Sequence, residues 1–149
     1  MPLRGRSLNN DIWRKDVELF RRGNVNYIRT SHYPPDEALL EACDELGMFV
    51  EVEAPFCWAH QADVPADKHY DVLVNQHVEM VNLNRSHPSI LMWSMGNESG
   101  YGCVFESALE WTKSLTVPDL HIMKEHFMLR MTVRMIIAIL IYTAECIHR

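Results

Sequence analysis

The sequence predicts an α/β fold of parallel strands joined by crossover helices. Three observations predict it. Helix-like and strand-like segments alternate along residues 10–115, the order that βαβ units produce. Glycine and proline punctuate that alternation at Gly23, Pro34, Pro35, Gly47 and Pro55, where helices stop or start and strands end. Hydrophobic residues make up 48% and charged residues 23% of the 149 residues, which supplies a core and excludes bulk disorder.

The elements follow in order. Asn10 or Asp11 caps a helix reaching about Arg22, with Trp13, Val17 and Phe20 on one face and Gly23 as its stop. Val25 to Arg29 reads as a short strand. Pro34-Pro35 opens a second helix, because proline is tolerated in a first turn. Leu39, Leu40, Cys43 and Leu46 face inward, Asp36, Glu37, Glu41 and Asp44 face solvent, and Gly47 ends it. Met48 to Glu53 is the next strand. A polar loop from about Gln61 to Lys68 leads to a helix near Tyr70 to Asn84, with Leu73, Val74, Val78 and Val81 inward. His87 precedes Pro88 and is held extended. Ile90 to Met95 is a third strand, and a fourth helix runs from about Val104 to Leu115.

Charge and cysteine usage narrow the function classes. The formal net charge is −6, opposite to that of most nucleic-acid binders. Cys43, Cys57, Cys103 and Cys146 form no CxxC pair, and their spacing fits reduced thiols better than a disulfide framework. The first residues are basic but no apolar stretch follows them, so a secretory signal is not expected and a cytoplasmic location is. The texture changes near residue 120. All prolines and glycines precede residue 119, four of nine methionines fall between Met123 and Met135, and Met135 to Tyr142 is an apolar run. A bilayer span needs about 20 apolar residues, so this run reads as a buried or partner-seeking segment rather than a membrane anchor.

Chemistry gathers at the strand ends, where parallel α/β folds bind ligands. The first strand ends in Arg29-Thr-Ser-His-Tyr-Pro34, the second in Glu51-Val-Glu-Ala-Pro55, and the third in Ser94-Met-Gly-Asn-Glu-Ser-Gly100. A cation, a histidine and carboxylates therefore share one rim, which suits acid/base work. A structural Arg29–Glu53 ion pair with Glu98 in an exposed turn is an equal reading of the same spacing. The glycine-bearing segment Gly96 to Gly102 lacks a Walker lysine and places a glutamate where phosphate would sit, which argues against nucleotide binding.

Three ordered segments carry a resemblance: Arg29 to Pro34, Cys43-Asp-Glu-Leu-Gly-Met-Phe-Val-Glu-Val-Glu53, and His87-Pro-Ser-Ile-Leu-Met-Trp-Ser-Met-Gly-Asn-Glu-Ser-Gly100. Together they resemble glycoside hydrolase family 2, and its β-galactosidase branch most. The resemblance covers about residues 8–118. It implies a partial TIM (β/α)8 barrel, with these segments as its second to fourth strands. Residues 1–118 then form the partial barrel, and 119–149 an unrelated apolar and basic helical tail.

The resemblance also implies roles. Glu98 corresponds to the acid/base of this retaining family, which protonates the glycosidic oxygen and later deprotonates water. Asn97 corresponds to the residue that bonds the sugar 2-hydroxyl, and His32 to a sugar-contacting histidine. Arg29 corresponds to an arginine beside the nucleophile, and Trp93 is taken as a further substrate contact. The expected substrate is a terminal β-galactoside. No cofactor is expected: where magnesium-dependent relatives carry Glu and His, this chain has Cys57 and Ala59, and Ala54-Pro-Phe-Cys-Trp58 resembles metal-independent members. His60, His69 and His77 then serve surface or packing roles.

The family's nucleophile lies on a seventh strand that these residues do not match, so the 149 residues alone are expected to be inactive. The alternative is a non-catalytic remnant or interaction module using the apolar tail. Uncovered strand edges lead us to expect self-association.

Overall fold

A computed structural model describes residues 8–100, 102–115 and 121–123. Helix α1 (Asn10–Arg22) carries Asp11 in its first turn and Arg21 and Arg22 in its last, each matched to the helix dipole. Asn9, in extended conformation, is its N-cap. At the far end Gly23 has φ −80°, and Asn24 instead takes the left-handed conformation at φ 64°. Asn tolerates that region better than most side chains, so the turn does not need its glycine there. Val17 is fully buried and Trp13 packs on the core, but Phe20 is 42% exposed, contrary to the expected face. α1 packs against α2 (Glu37–Leu46).

Asp36 caps α2 by accepting from the Ala38 N–H at 3.0 Å. Gly47 ends it at φ 68°, and a Cβ at that position would meet nothing within 4 Å, so conformation alone selects glycine there. Leu39, Leu40 and Cys43 are buried as expected. Asp44, expected to face solvent, instead accepts from the Ser89 backbone N–H at 2.9 Å and lies 2.6 Å from His87 Nδ1, tying α2 to the entry of the third strand. Burial alone would raise the Asp44 pKa, but the bonds from Ser89 and His87 outweigh it and hold the carboxyl below its usual range.

Strands β1 (Tyr27–Arg29), β2 (Phe49–Glu53), β3 (Ile90–Ser94) and β4 (His121–Met123) form one parallel sheet in chain order. β4 lies past the boundary placed at residue 118 and continues the same order. Of the apolar tail, residues 124–149, including Met135 to Tyr142, lie outside the described residues.

The pairing register sorts side chains between two faces. Arg29 pairs with Glu51, Glu51 with Met92, and Glu53 with Ser94, which sets these residues on one face. Ile28 pairs with Val50 and Val52 with Trp93 on the other, where they join the core with Leu40, Val81 and Leu109. A register shift at Val50/Glu51 aligns the two strands.

The helix expected at Tyr70 to Asn84 forms as one wider turn, Tyr70–Val74, leading into α3 (Asn75–Asn84). It packs beside α4 (Cys103–Leu115). Leu73 and Val81 are buried, and so is His77, whose Nε2 lies 2.9 Å from Thr112 Oγ1 on α4. Phe105 of α4 meets Phe56 edge to face at 5.8 Å, which anchors the loop after β2. Among the described residues, no helix is long and apolar enough to cross a membrane.

Candidate active site

The polar face of the sheet opens toward the carboxyl ends of β1 to β3. Glu53 has no exposed surface. Its Oε2 lies 2.6 Å from Arg29 Nη2 and 2.8 Å from Arg29 Nε, and its Oε1 lies 2.9 Å from His32 Nδ1. The Glu53 N–H donates to Thr30 Oγ1 at 3.1 Å. Arg29 also reaches Glu51 Oε1 at 3.4 Å and donates to Ser94 Oγ at 3.4 Å. A buried carboxylate persists only with such partners. Tyr27 donates its phenolic O–H to Glu51 at 2.6 Å, and burial first, then that carboxylate, push the phenol pKa up.

The structure thus forms the Arg29–Glu53 ion pair and also draws His32 into it. His32, at 47% side-chain exposure, is the member of this group most open to solvent. Glu53 is enclosed by its partners and offers no open oxygen face to a substrate.

Glu98 stands on the turn after β3, at φ 49°, and is exposed. Left-handed backbone is uncommon outside glycine and clusters at functional turns. The turn is fixed by the loop after β2. Asn97 N–H donates to Phe56 O at 2.7 Å, Trp58 N–H donates to Asn97 O at 3.0 Å, and Gly100 N–H donates to Ala59 O at 2.9 Å. Cys57 and Asn97 form an isolated parallel bridge, and Asn97 Nδ2 approaches Cys57 Sγ at 3.8 Å. A Cβ on Gly96 would lie 2.8 Å from Phe56 O, so the two loops touch backbone to backbone. Trp58 Nε1–H donates to Glu98 Oε2 at 2.5 Å.

Of the expected site residues, Arg29 and His32 meet at Glu53, while Asn97 and Glu98 sit together on the neighbouring turn. Trp93 does not join them. It is 1% exposed and packs in the core, because strand alternation places it opposite Ser94 and alongside Val52. Trp93 is therefore a core residue and not a substrate contact. Trp58, which the sequence does not single out as a candidate, lies against Glu98 on this rim; its sequence signal is an aromatic residue in the loop after β2.

At the positions that the resemblance matches to magnesium ligands, this chain has the Cys57 thiol and the Ala59 methyl, which do not make a hard oxygen site. Among the described residues, no group of three or more His, Cys, Asp or Glu could hold a metal ion. His60 and His69 line an open cleft of about 420 Å³ with Val64, Ala66 and Gly102, and His69 Nε2 lies 2.8 Å from Val64 O.

Residues 1–142 match Glycosyl hydrolases family 2, TIM barrel domain. The chain belongs to glycosyl hydrolase family 2. The family match runs past residue 118, through β4. A β-galactosidase of Lactococcus lactis is 38% identical over 117 residues, covering 76% of this chain and 12% of that protein. The β-galactosidase of an Arthrobacter species is 40% identical over 118 residues, covering 73% of this chain and 11% of that one. The β-glucuronidase of Ruminococcus gnavus, solved with uronic deoxynojirimycin, superposes with TM-score 0.66 at 26% identity over 77% of this chain and 21% of its own. The chain therefore spans about an eighth or less of the length of these curated relatives, and the fold is an arc of the family 2 TIM barrel.

Proposed function

We propose that these residues are the acid/base side of a retaining glycosidase barrel acting on terminal β-galactosides. The observation that supports it most is Glu98, an exposed carboxylate on a left-handed turn at the carboxyl end of β3. In this reading Glu98 protonates the glycosidic oxygen and then deprotonates water. Asn97 bonds the 2-hydroxyl, and His32 contacts the sugar from the neighbouring strand end. Arg29, bonded to Glu53, corresponds to the arginine beside the nucleophile's place and orients the groups around it. Galactoside is preferred over glucuronide because the two curated relatives above are β-galactosidases. Self-association belongs to the same reading, since β1 pairs on one side only among the described residues.

A retaining reaction needs two carboxyl groups about 5–5.5 Å apart. Glu53 is fully buried and bonded to Arg29 and His32, so it does not serve as the second. A polypeptide of these 149 residues is expected to show no measurable turnover of an aryl β-galactoside, and Glu98→Gln no further loss. Turnover that disappears in Glu98→Gln would refute the missing nucleophile and make Glu53 the first carboxylate to test.

A further inference from the structure

We infer that Trp58 is the positioning residue for the Glu98 carboxylate and forms the surface on which the leaving group rests. The inference builds on the proposed role of Glu98. Four observations carry it. Trp58 is 69% exposed, a large apolar surface left to water beside the rim. Its Nε1–H donates to Glu98 Oε2. Trp58 and Glu98 both adopt left-handed backbone, at φ 56° and 49°. Between them the Cys57–Asn97 bridge locks the two loops in register. Two strained residues facing each other across a bridge, joined by a side-chain bond, indicate a geometry maintained for the carboxylate.

The chemistry follows from the indole. Its N–H donates and never accepts, so the oxygen it meets, Oε2, is held as an acceptor and the acid's proton sits on Oε1. When that proton passes to the departing glycosidic oxygen, the bond electrons leave with that oxygen. The family's second carboxylate takes the sugar carbon. The charge left on Glu98 is then met by a donor already in place. Since the acid lies next to the leaving group, so does the indole bonded to it. With its N–H engaged, the ring's exposed face remains for stacking, which suits an aryl group or the apolar face of a second sugar.

The test uses the whole chain at neutral pH. The indole N–H resonance of Trp58 is identified by its loss in Trp58→Phe. In Glu98→Gln that resonance is expected to move upfield while those of Trp13, Trp93 and Trp111 stay, which also shows that the variant is folded. Phenyl β-galactoside is expected to shift the Trp58 resonance at about fivefold lower concentration than methyl β-galactoside, and Trp58→Phe to weaken phenyl β-galactoside binding about fivefold, read at His32. Tryptophan emission at low concentration reads the same comparisons in an associating chain. A Trp58 resonance unmoved in Glu98→Gln overturns the positioning role. Equal response to the phenyl and methyl glycosides overturns the leaving-group role. Loss of response to both sugars, with the Glu98 coupling intact, refutes the glycosidase reading and leaves the positioning contact standing.

Discussion

Lowering the pH is expected to loosen the α3–α4 pair through His77. This side chain has no exposed surface, and its Nε2 lies 2.9 Å from Thr112 Oγ1. The Thr112 hydroxyl donates its one proton to Ala108 O at 2.8 Å, so Nε2 carries the imidazole proton and donates. Nδ1 is then a buried nitrogen with no hydrogen-bond partner. Protonating it puts a charge where no group compensates, and burial brings the His77 pKa down from 6.5 to about 4. The folded state therefore refuses a proton that the unfolded state takes. This contribution is fully present above pH 6.5 and is lost as pH falls toward 4. At roughly 1.4 kcal/mol per pKa unit the loss approaches about 3 kcal/mol at pH 4. With urea slopes of about 1–3 kcal/mol/M, that is a midpoint shift on the order of 1–3 M. The assay is urea unfolding followed by tryptophan emission between pH 7.5 and 4, for the native chain and His77→Gln. Glutamine keeps a donor toward Thr112 and cannot titrate. Carboxylates contribute equally to both chains, so the difference isolates His77. Identical pH dependence in the two would refute the argument.

Two further outcomes are expected. Asp44→Asn should cost about 1–2 kcal/mol at pH 7 through weakened bonds to Ser89 and His87. Because the Asp44 pKa is held below its ordinary value of 3.8, that stability is present above 3.8 and lost as pH falls through the lower folded value, so native and variant chains should converge in strong acid. Gly96→Ala should destabilise by about 1–3 kcal/mol, since φ is 149° and its Cβ would lie 2.8 Å from Phe56 O; thermal melts of the two chains would measure it.

Much of the scaffold is legible in the sequence because its cues are local. Capping at Asp36, the left-handed stop at Gly47 and the order of strands all follow from short stretches of sequence. The strand ends also bring out Arg29, His32, Asn97 and Glu98 as candidates. What escapes depends on contacts between distant segments. The Asp44–His87 link joins residues 43 apart, and Trp58 meets Glu98 across 40. Trp93 shows a different difficulty. Its motif places it near the rim, but the strand's two-residue period turns it toward the helices. His77 reads as one more histidine on a polar helix until α4 closes over it.

The sheet order has a consequence for how the chain acquires its shape. Each strand pairs with the one made just before it, and no pairing among the described residues waits on a later, interleaved strand. As the polypeptide leaves the ribosome, β2 can dock on β1 once α2 has emerged, and β3 on β2 once α3 has. The arc can therefore grow one unit at a time, each strand closing only the helical crossover that joins it to its predecessor. Glu98 emerges immediately after the strand that carries it. The loop that must grip its turn, Phe56 to Ala59, is already waiting.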